Sequence, residues 1–292
     1  MAHESSCGDR ATGSGRMHGP QAIGDRSGAP EVRARLAGGL IPTVNEPGGA
    51  AEMAERAAIV TGASSGIGLA IARVLGQEGH GVTMAARRPE KLEGAVAELA
   101  GKGLDVHGVA VNVSHEEEIQ KVVAAHRERY GRLDVLVNNA GVGIGAPLGD
   151  IQTKRLDMQL NVNLRSIVLF YRECLEMLRA AGAEHRNALV VNTSSISGKR
   201  AEAWLSVYSA TKHGVVGWTE AMNKELGAEG IKSTALCPAF VDTPMTDFVK
   251  DQVKPEDMIR PEDIAEAVRY MLRVSPACVV PEMMFVRPGD AL

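Results

Sequence analysis

The sequence lacks the features that mark a membrane span, a disulfide frame, a metal centre or a nucleic-acid surface. Its four cysteines, Cys7, Cys174, Cys237 and Cys278, lie far apart and form neither a Cys-x-x-Cys pair nor a Cys/His cluster. That usage fits reduced thiols in a cytoplasmic protein and argues against a zinc site or disulfide framework, so no metal is expected. No apolar run approaches the roughly 20 residues that cross a bilayer, and no membrane partner is expected. The formal net charge of −4 carries no basic excess, which leaves no footprint for nucleic acid or an anionic lipid surface. The rest is ordinary for a globular protein, with 45% hydrophobic and 23% charged residues. Its 292 residues suffice for one large α/β domain or two small ones.

The chain changes character near residue 53. Upstream, "ATGSGRMHGPQAIGDRSGAPEVRARLAGG" is rich in Gly, Pro, Arg and Ser and has little periodic hydrophobicity. It lacks the apolar core of a secretory signal, and Glu4, Asp9, Asp25 and Glu31 argue against a transit peptide. Residues 1–52 therefore read as a disordered extension. Met53 is an alternative start, since a single compact domain is expected over 53–292.

From residue 57 the pattern alternates strand and helix. "AAIVTG" is a short apolar run ending in a glycine turn, and "GIGLAIARVLGQEG" is an amphipathic helix closed by Gly79. "GVTMAAR" reads as the next strand, and "PEKLEGAVAELAGKG" as a helix opened by Pro89. The alternation continues through "DVHGVAVNV", "EEEIQKVVAAHRERYG" and "LDVLVNNAG", then a long helix over roughly 153–181 and "ALVVNTSS". A helix near 206–229, "IKSTALCP", a helix near 261–274 and a last strand near 279–286 complete it. Repeated βα units with apolar strands imply a parallel sheet covered on both faces, and right-handed crossovers make it doubly wound. The expectation is a seven-stranded Rossmann-type α/β/α fold.

The first βα turn reads "TGASSGIG", with Gly62, Gly66 and Gly68 in the spacing G-x-x-x-G-x-G. Glycines here allow a tight turn and let amides at a helix N-terminus approach a pyrophosphate. Gly62, Ser64, Ser65, Gly66, Ile67 and Gly68 are the expected cofactor contacts of this turn. About 20 residues on, an acidic residue would accept hydrogen bonds from the adenine ribose and repel a 2′-phosphate. The sequence there is "AARRP": Ala86 stands at the acid position, followed by Arg87 and Arg88. A guanidinium grips a phosphate with two charge-assisted bonds. NADP(H) is therefore the expected cofactor, with Arg87 its 2′-phosphate ligand.

Residues 208–212 read "YSATK". Alone, a Tyr-x-x-x-Lys pair decides nothing, since it turns up by chance about once every few hundred residues. It is either an ordinary helix surface or a proton-transfer pair. In order along the chain, however, stand TGASSGIG, "NNAG" at 138–141, "VNL" at 162–164, "SS" at 194–195 and YSATK. This ordered set resembles the short-chain dehydrogenase/reductase family over about residues 57–290. The resemblance implies Ser195, Tyr208 and Lys212 as the catalytic group, with Asn163 as a fourth member. It implies that Asn139, Ala140 and Gly141 support the sheet beside the cofactor, with Asn138 ending the fourth strand. Asn112 and Val113 would lie near the adenine, Lys212 and Tyr208 near the nicotinamide ribose, and Pro238, Val241 and Thr243 near the carboxamide. A homo-dimer or homo-tetramer, formed through the helices around 153–181 and 206–229, is also implied.

The residues make that chemistry plausible. Reducing a ketone needs hydride at carbon and a proton at oxygen. A tyrosine hydroxyl can supply the proton, and a nearby ammonium is expected to lower its pKa from about 10 toward a useful range. Tyr208 and Lys212 are four apart and share a helix face. Ser195, at the C-terminal end of a strand, would stabilise charge developing on the substrate oxygen. Asn163 is expected to anchor a water linking Lys212 to solvent.

The chain departs from the family pattern at two loops and at its end. Ala239 stands where the family has glycine after the sixth strand, which would shift that loop if a positive φ were required. Asn112 replaces an aspartate near the adenine and keeps a hydrogen-bond acceptor. The C-terminal "VVPEMMFVRPGD" lacks the Asp-Gly-Gly ending common among 3-oxoacyl carrier-protein reductases, and looks more like the hydroxy-acid dehydrogenase and ketone-reductase branch. Met245, Phe248, Val249, Met258, Trp204 and Phe240 are candidate walls of an apolar substrate pocket, or plain packing. His213 reads as a helix-surface residue. The main reading is an NADPH-dependent reductase of a small-molecule ketone, or the reverse. A 3-oxoacyl thioester reductase is the alternative within enzymes, and a non-catalytic NADP(H)-binding sensor is the alternative outside them.

Overall fold

The computed structural model describes residues 54–290. The expectations for residues 1–52 and for Met53 as a start lie outside the described residues. Seven strands form one parallel sheet: β1 (Arg56–Thr61), β2 (His80–Ala86), β3 (Val106–Ala110), β4 (Val135–Asn138), β5 (Ala188–Thr193), β6 (Ile231–Pro238) and β7 (Glu282–Phe285). The helices between them are α1 (Gly66–Gln77), α2 (Pro89–Ala100), α3 (Glu116–Tyr130), α4 (Thr153–Leu160), α5 (Ser166–His185), α6 (Ser206–Leu226) and α7 (Pro261–Arg273). The order across the sheet is β3-β2-β1-β4-β5-β6-β7. The chain thus winds outward from β1 to β3, then crosses back to place β4 on the other side of β1. That reversal is the switch point at which ligands bind in such sheets, beyond the carboxyl ends of the strands.

The sheet divides two apolar cores by the two-residue strand period. In β1, Ala58 and Val60 face a core shared with α1, α2 and α7. Ile59 faces the opposite core, with α3, α5 and α6. The same alternation in β4 sends Val135 and Val137 to the first core and Leu136 to the second. Strands buried on both faces read as continuous apolar runs, which is why they were visible in the sequence.

One expected element divides. The helix expected over 153–181 is α4 and α5 joined by a π-helical turn over Asn161–Arg165, and α5 continues to His185. No glycine or proline causes this. The amide of buried Asn163 is drawn to the loop after β4, where it bonds Val142 N and O, both at 2.8 Å. A widened turn is the conformation that serves this side chain.

A polar group in the second core bears on stability. His126 of α3 is fully buried, with Nδ1 2.8 Å from Thr83 Oγ1 and Nε2 2.8 Å from the Arg132 carbonyl oxygen. A carbonyl only accepts, so Nε2 carries the proton and Nδ1 accepts from the threonine hydroxyl. Burial pulls the His126 pKa down to about 4.

Candidate active site

The site forms where β5 ends and α6 begins. The two serines after β5 have different duties. Ser194 Oγ donates to the Lys212 carbonyl oxygen at 2.9 Å and ties the strand end to α6. Ser195 is in extended backbone, and its Oγ accepts from Ser197 N at 3.1 Å, opening a 3₁₀ turn. Its hydroxyl also acts on the phenol of Tyr208, in the first turn of α6. Lys212, one turn later, is 3% exposed, so its charge is almost fully withdrawn from water. Its Nζ donates to the Thr193 carbonyl oxygen at 2.7 Å and lies 5.6 Å from the centroid of the Tyr208 ring. Ser195, Tyr208 and Lys212 are thus brought together.

The electrostatics differ in one respect from the sequence expectation. Burial holds the Lys212 pKa down at about 8. Burial also pushes the Tyr208 phenol up, and the hydrogen bond from Ser195 only partly offsets it. The lysine was expected to draw the tyrosine pKa down; here burial of the phenol sets the direction, and Lys212 is not among the groups that shift it. A neutral phenol is the form that delivers a proton.

Asn163 is brought to the same place from the π turn. Besides its two bonds to Val142, its Nδ2 donates to Thr211 Oγ1 at 3.1 Å, and Thr211 Oγ1 donates to the Tyr208 carbonyl oxygen at 2.7 Å. Asn163 therefore joins the loop after β4 to the helix that carries the tyrosine. A Cβ built on Gly141 would lie 3.6 Å from both Asn163 Oδ1 and Lys212 Nζ, so both groups border the same glycine. His213 turns back to its own helix, with Nδ1 2.9 Å from the Ser209 carbonyl oxygen, as expected for a helix-surface residue.

The glycine turn has the form a pyrophosphate needs. α1 starts at Gly66, its N-cap Ser65 makes no side-chain cap, and no acidic residue occupies its first turn. Its N-terminal amides are therefore available to an anion. A Cβ at Gly68 would collide with the Gly62 carbonyl oxygen and lie 2.6 Å from Asn139 Nδ2. Gly66 has φ +55, and a Cβ there would lie 2.8 Å from Thr243 Cγ2. Only glycines leave this cradle open. Asn139 fixes its base: its backbone N–H donates to Thr61 Oγ1 at 2.9 Å and its Nδ2 to the Thr61 carbonyl oxygen at 3.1 Å. Ala140 N also donates to Thr61 Oγ1, and Asn138 Nδ2 donates to Asn192 Oδ1 across β4 and β5.

Ala86 closes β2 and is buried, while Arg87 and Arg88 are exposed beside it. No carboxylate among the described residues pairs with either arginine. At the end of β3, Asn112 Oδ1 accepts from Ser114 N at 3.2 Å and from Ser114 Oγ at 2.9 Å. The acceptor expected to face the adenine is thus engaged within its own turn. Val113 is buried beside it. Beyond Pro238, Ala239 N donates to the Phe285 carbonyl oxygen at 2.8 Å. Ala239 is not among the residues of positive φ, so its replacement of glycine costs no strain. Val241 is buried and bridged to Ile259, and Thr243 caps the next turn with Thr246.

The candidate wall residues separate by burial. Val249 and Met258 are buried and belong to packing, whereas Trp204, Phe240, Met245 and Phe248 are exposed. Two features escaped the sequence reading. Gln159 is buried and its Oε1 accepts from Ile144 N at 3.1 Å, a second hold on the loop after β4. Its signal was the four-residue spacing to Asn163 on one helical face. Trp204 has φ 57, a left-handed conformation rare for a bulky residue, and no local sequence signal marks it.

The chain is similar to known proteins. The family model described as short chain dehydrogenase matches residues 56–254. A putative ketoacyl reductase of Streptomyces coelicolor is 36% identical over 252 residues, spanning 80% of this chain and 95% of that protein. Among solved structures, an actinorhodin polyketide ketoreductase variant with NADPH matches with a TM-score of 0.72 at 36% identity, covering 79% of this chain and 95% of that one. An alcohol dehydrogenase from Thermococcus sibiricus, complexed with 5-hydroxy-NADP, matches with a TM-score of 0.71 at 29% identity, covering 80% and 96%. By the family match and these identities, the chain belongs to the short-chain dehydrogenase family.

Proposed function

We propose that the protein is an NADPH-dependent oxidoreductase that reduces a ketone to a secondary alcohol, or runs the reverse. The observation that carries this reading is the meeting of Tyr208, Ser195 and buried Lys212 beside a glycine turn with an open helix N-terminus. When bound, NADPH supplies the hydride to the carbonyl carbon. The glycine turn and the first amides of α1 hold the pyrophosphate, and Arg87, which pairs with no carboxylate among the described residues, takes the 2′-phosphate.

Ser195 and Tyr208 hold the substrate oxygen. Ser195 Oγ already accepts from Ser197 N, so its own proton is left to donate to that oxygen. Tyr208, kept neutral by burial, gives its proton to the same oxygen as charge develops there. Lys212 spends one N–H on Thr193 and keeps two donors for the ribose and for the tyrosinate left behind. Asn163 Oδ1 takes one bond from Val142, and its remaining lone pair holds the water that returns a proton through Lys212.

The likeness to ketoacyl reductases at 36% identity supports a second substrate reading, in which the ketone is the 3-oxo group of an acyl thioester. The unpaired thiols of Cys174, Cys237 and Cys278 support a cytoplasmic protein. No helix among the described residues is long and apolar enough to cross a membrane. A homo-dimer or homo-tetramer through α5 and α6 completes the reading, and a sizing column tests it. A panel of 3-oxo esters, 3-oxoacyl thioesters and aromatic ketones, each with NADPH and NADH, tests the activity. Turnover with NADPH supports the enzyme; tight NADPH binding with no turnover on any of them supports a sensor.

A further inference from the structure

The loop after β4 passes from the catalytic tyrosine to Trp204 within a few residues. It is held at every second position: Val142 by Asn163, Ile144 by Gln159, and Ala146 through its N–H to the Trp204 carbonyl oxygen at 2.7 Å. The residues between these anchors are glycines, and each lies against an aromatic ring. A Cβ on Gly143 would lie 3.7 Å from Cε2 of Tyr208, an ordinary contact. A Cβ on Gly145 would fall within the Trp204 indole, against Cε3 and Cζ3. The indole therefore rests directly on the Gly145 backbone, and no other residue type leaves it that seat.

Gly143 and Gly145 are two residues apart, so the Tyr208 ring and the Trp204 indole flank neighbouring positions of one loop. The indole is nonetheless 53% exposed, so much of it is open to whatever enters beside the tyrosine. Beside it lies a crevice of about 10 Å³, room for one water, lined by apolar Ile144, Ile151 and Leu156 and by polar Gln152, Arg155 and Gln159. Trp204 borders that crevice from a left-handed backbone that its carbonyl bond to Ala146 holds in place.

We propose that Trp204, seated on Gly145, is the residue that sets substrate size in this enzyme, its indole being the wall against which the larger substituent of the ketone packs. The inference rests on the reductase reading above. It assigns the substrate an apolar substituent on that side and excludes bulky fused rings there.

The test compares two ketones of different bulk, ethyl 3-oxobutanoate and 2-acetonaphthone, with NADPH. In Trp204→Ala, kcat/KM for the bulky ketone should rise at least tenfold relative to the small one, with the NADPH Kd unchanged. Gly145→Ala should move the ratio in the same direction, because its methyl displaces the indole. Trp204→Phe, the variant gentlest on the fold, should move it part of the way. An unchanged ratio in active variants, or an equal loss on both ketones, overturns the proposal.

A second readout does not need turnover. Trp204 and Trp218 are the two tryptophans of the chain, so a Trp218→Phe protein reports Trp204 alone. Its emission should shift when ethyl 3-oxobutanoate is added to the protein saturated with NADP+. Unaltered emission alongside measurable turnover overturns the role of Trp204 while sparing the reductase reading. Absence of Tyr208-dependent turnover on any ketone overturns the reductase reading instead, and the wall proposal with it.

Discussion

The Lys212 ammonium is bonded to the Thr193 carbonyl oxygen at 2.7 Å, and its charge is buried with no carboxylate among the described residues to balance it. Its pKa falls from 10.5 to about 8. The unfolded chain thus binds more protons between pH 8 and 10.5, and stability rises with pH across that window. Below pH 8 the folded state carries a cost of about 3 kcal/mol for keeping this lysine charged. Lys212→Met should remove activity and stabilise the protein by about 1–2 kcal/mol after the lost bond to Thr193 is subtracted. Thermal unfolding at pH 7 checks this: a rise of a few degrees is expected, and a fall would mean that the lysine is structural.

The same lysine sets a pH limit on turnover. In the proposed mechanism its ammonium supports proton delivery through Tyr208, and its pKa is lowered to about 8. For ketone reduction kcat/KM should be level below pH 8 and decline above it. A profile level to pH 10 would separate Lys212 from proton transfer.

Among the described residues no carboxylate pairs with Arg87, the proposed ligand of the 2′-phosphate. Arg87→Ala should weaken NADPH binding about tenfold to a hundredfold, the worth of a charge-assisted contact, and change NADH binding little. Titration of both cofactors decides it. Equal losses would place the phosphate contact elsewhere, with Arg88 the next residue to test.

Gly66 combines φ +55 with a close approach to Thr243. Alanine there is strained in the backbone and pushes the loop after β6 away from the cofactor turn. Gly66→Ala should raise the NADPH Kd at least tenfold, while circular dichroism shows the sheet intact. Unchanged affinity would mean that the turn tolerates a side chain and is not pressed against a ligand.

His126 ties stability to acid. Its folded pKa, about 4, lies below the unfolded value of 6.5, so stability is retained above pH 6.5 and lost as pH falls toward 4. The full loss is about 3 kcal/mol, and half-exposed solvent terms do not reduce it because the ring is fully buried. Urea unfolding between pH 7 and 4 should show this slope, and His126→Gln should flatten it. An equal slope in both proteins would assign the acid sensitivity to other groups, His107 first, whose pKa burial also lowers.

Much of this molecule was legible in its residues, for particular reasons. The strands are buried on both faces, so β1, β4 and β5 read as apolar runs, and glycines punctuate the turns between strand and helix. Tyr208 and Lys212 were singled out by the ordered motifs of the family resemblance, and their four-residue spacing put them on one helix face, a local property. What escaped depends on distant chain. The break between α4 and α5 follows from Asn163 reaching Val142, 21 residues away. The upward pKa of Tyr208 follows from burial, which spacing does not reveal. Asn112 kept its acceptor in sequence and spends it on Ser114 in the fold. The seat of Trp204 on Gly145 joins two loops that no periodicity connects.

Tyr208 as the proton donor of a ketone reductase is tested by following the loss of NADPH absorbance over a ketone panel for the wild type and Tyr208→Phe, with NADPH binding measured in parallel. The wild type should turn over, the variant at least a hundredfold less, with NADPH affinity within about threefold. A variant that turns over at the wild-type rate would contradict that role.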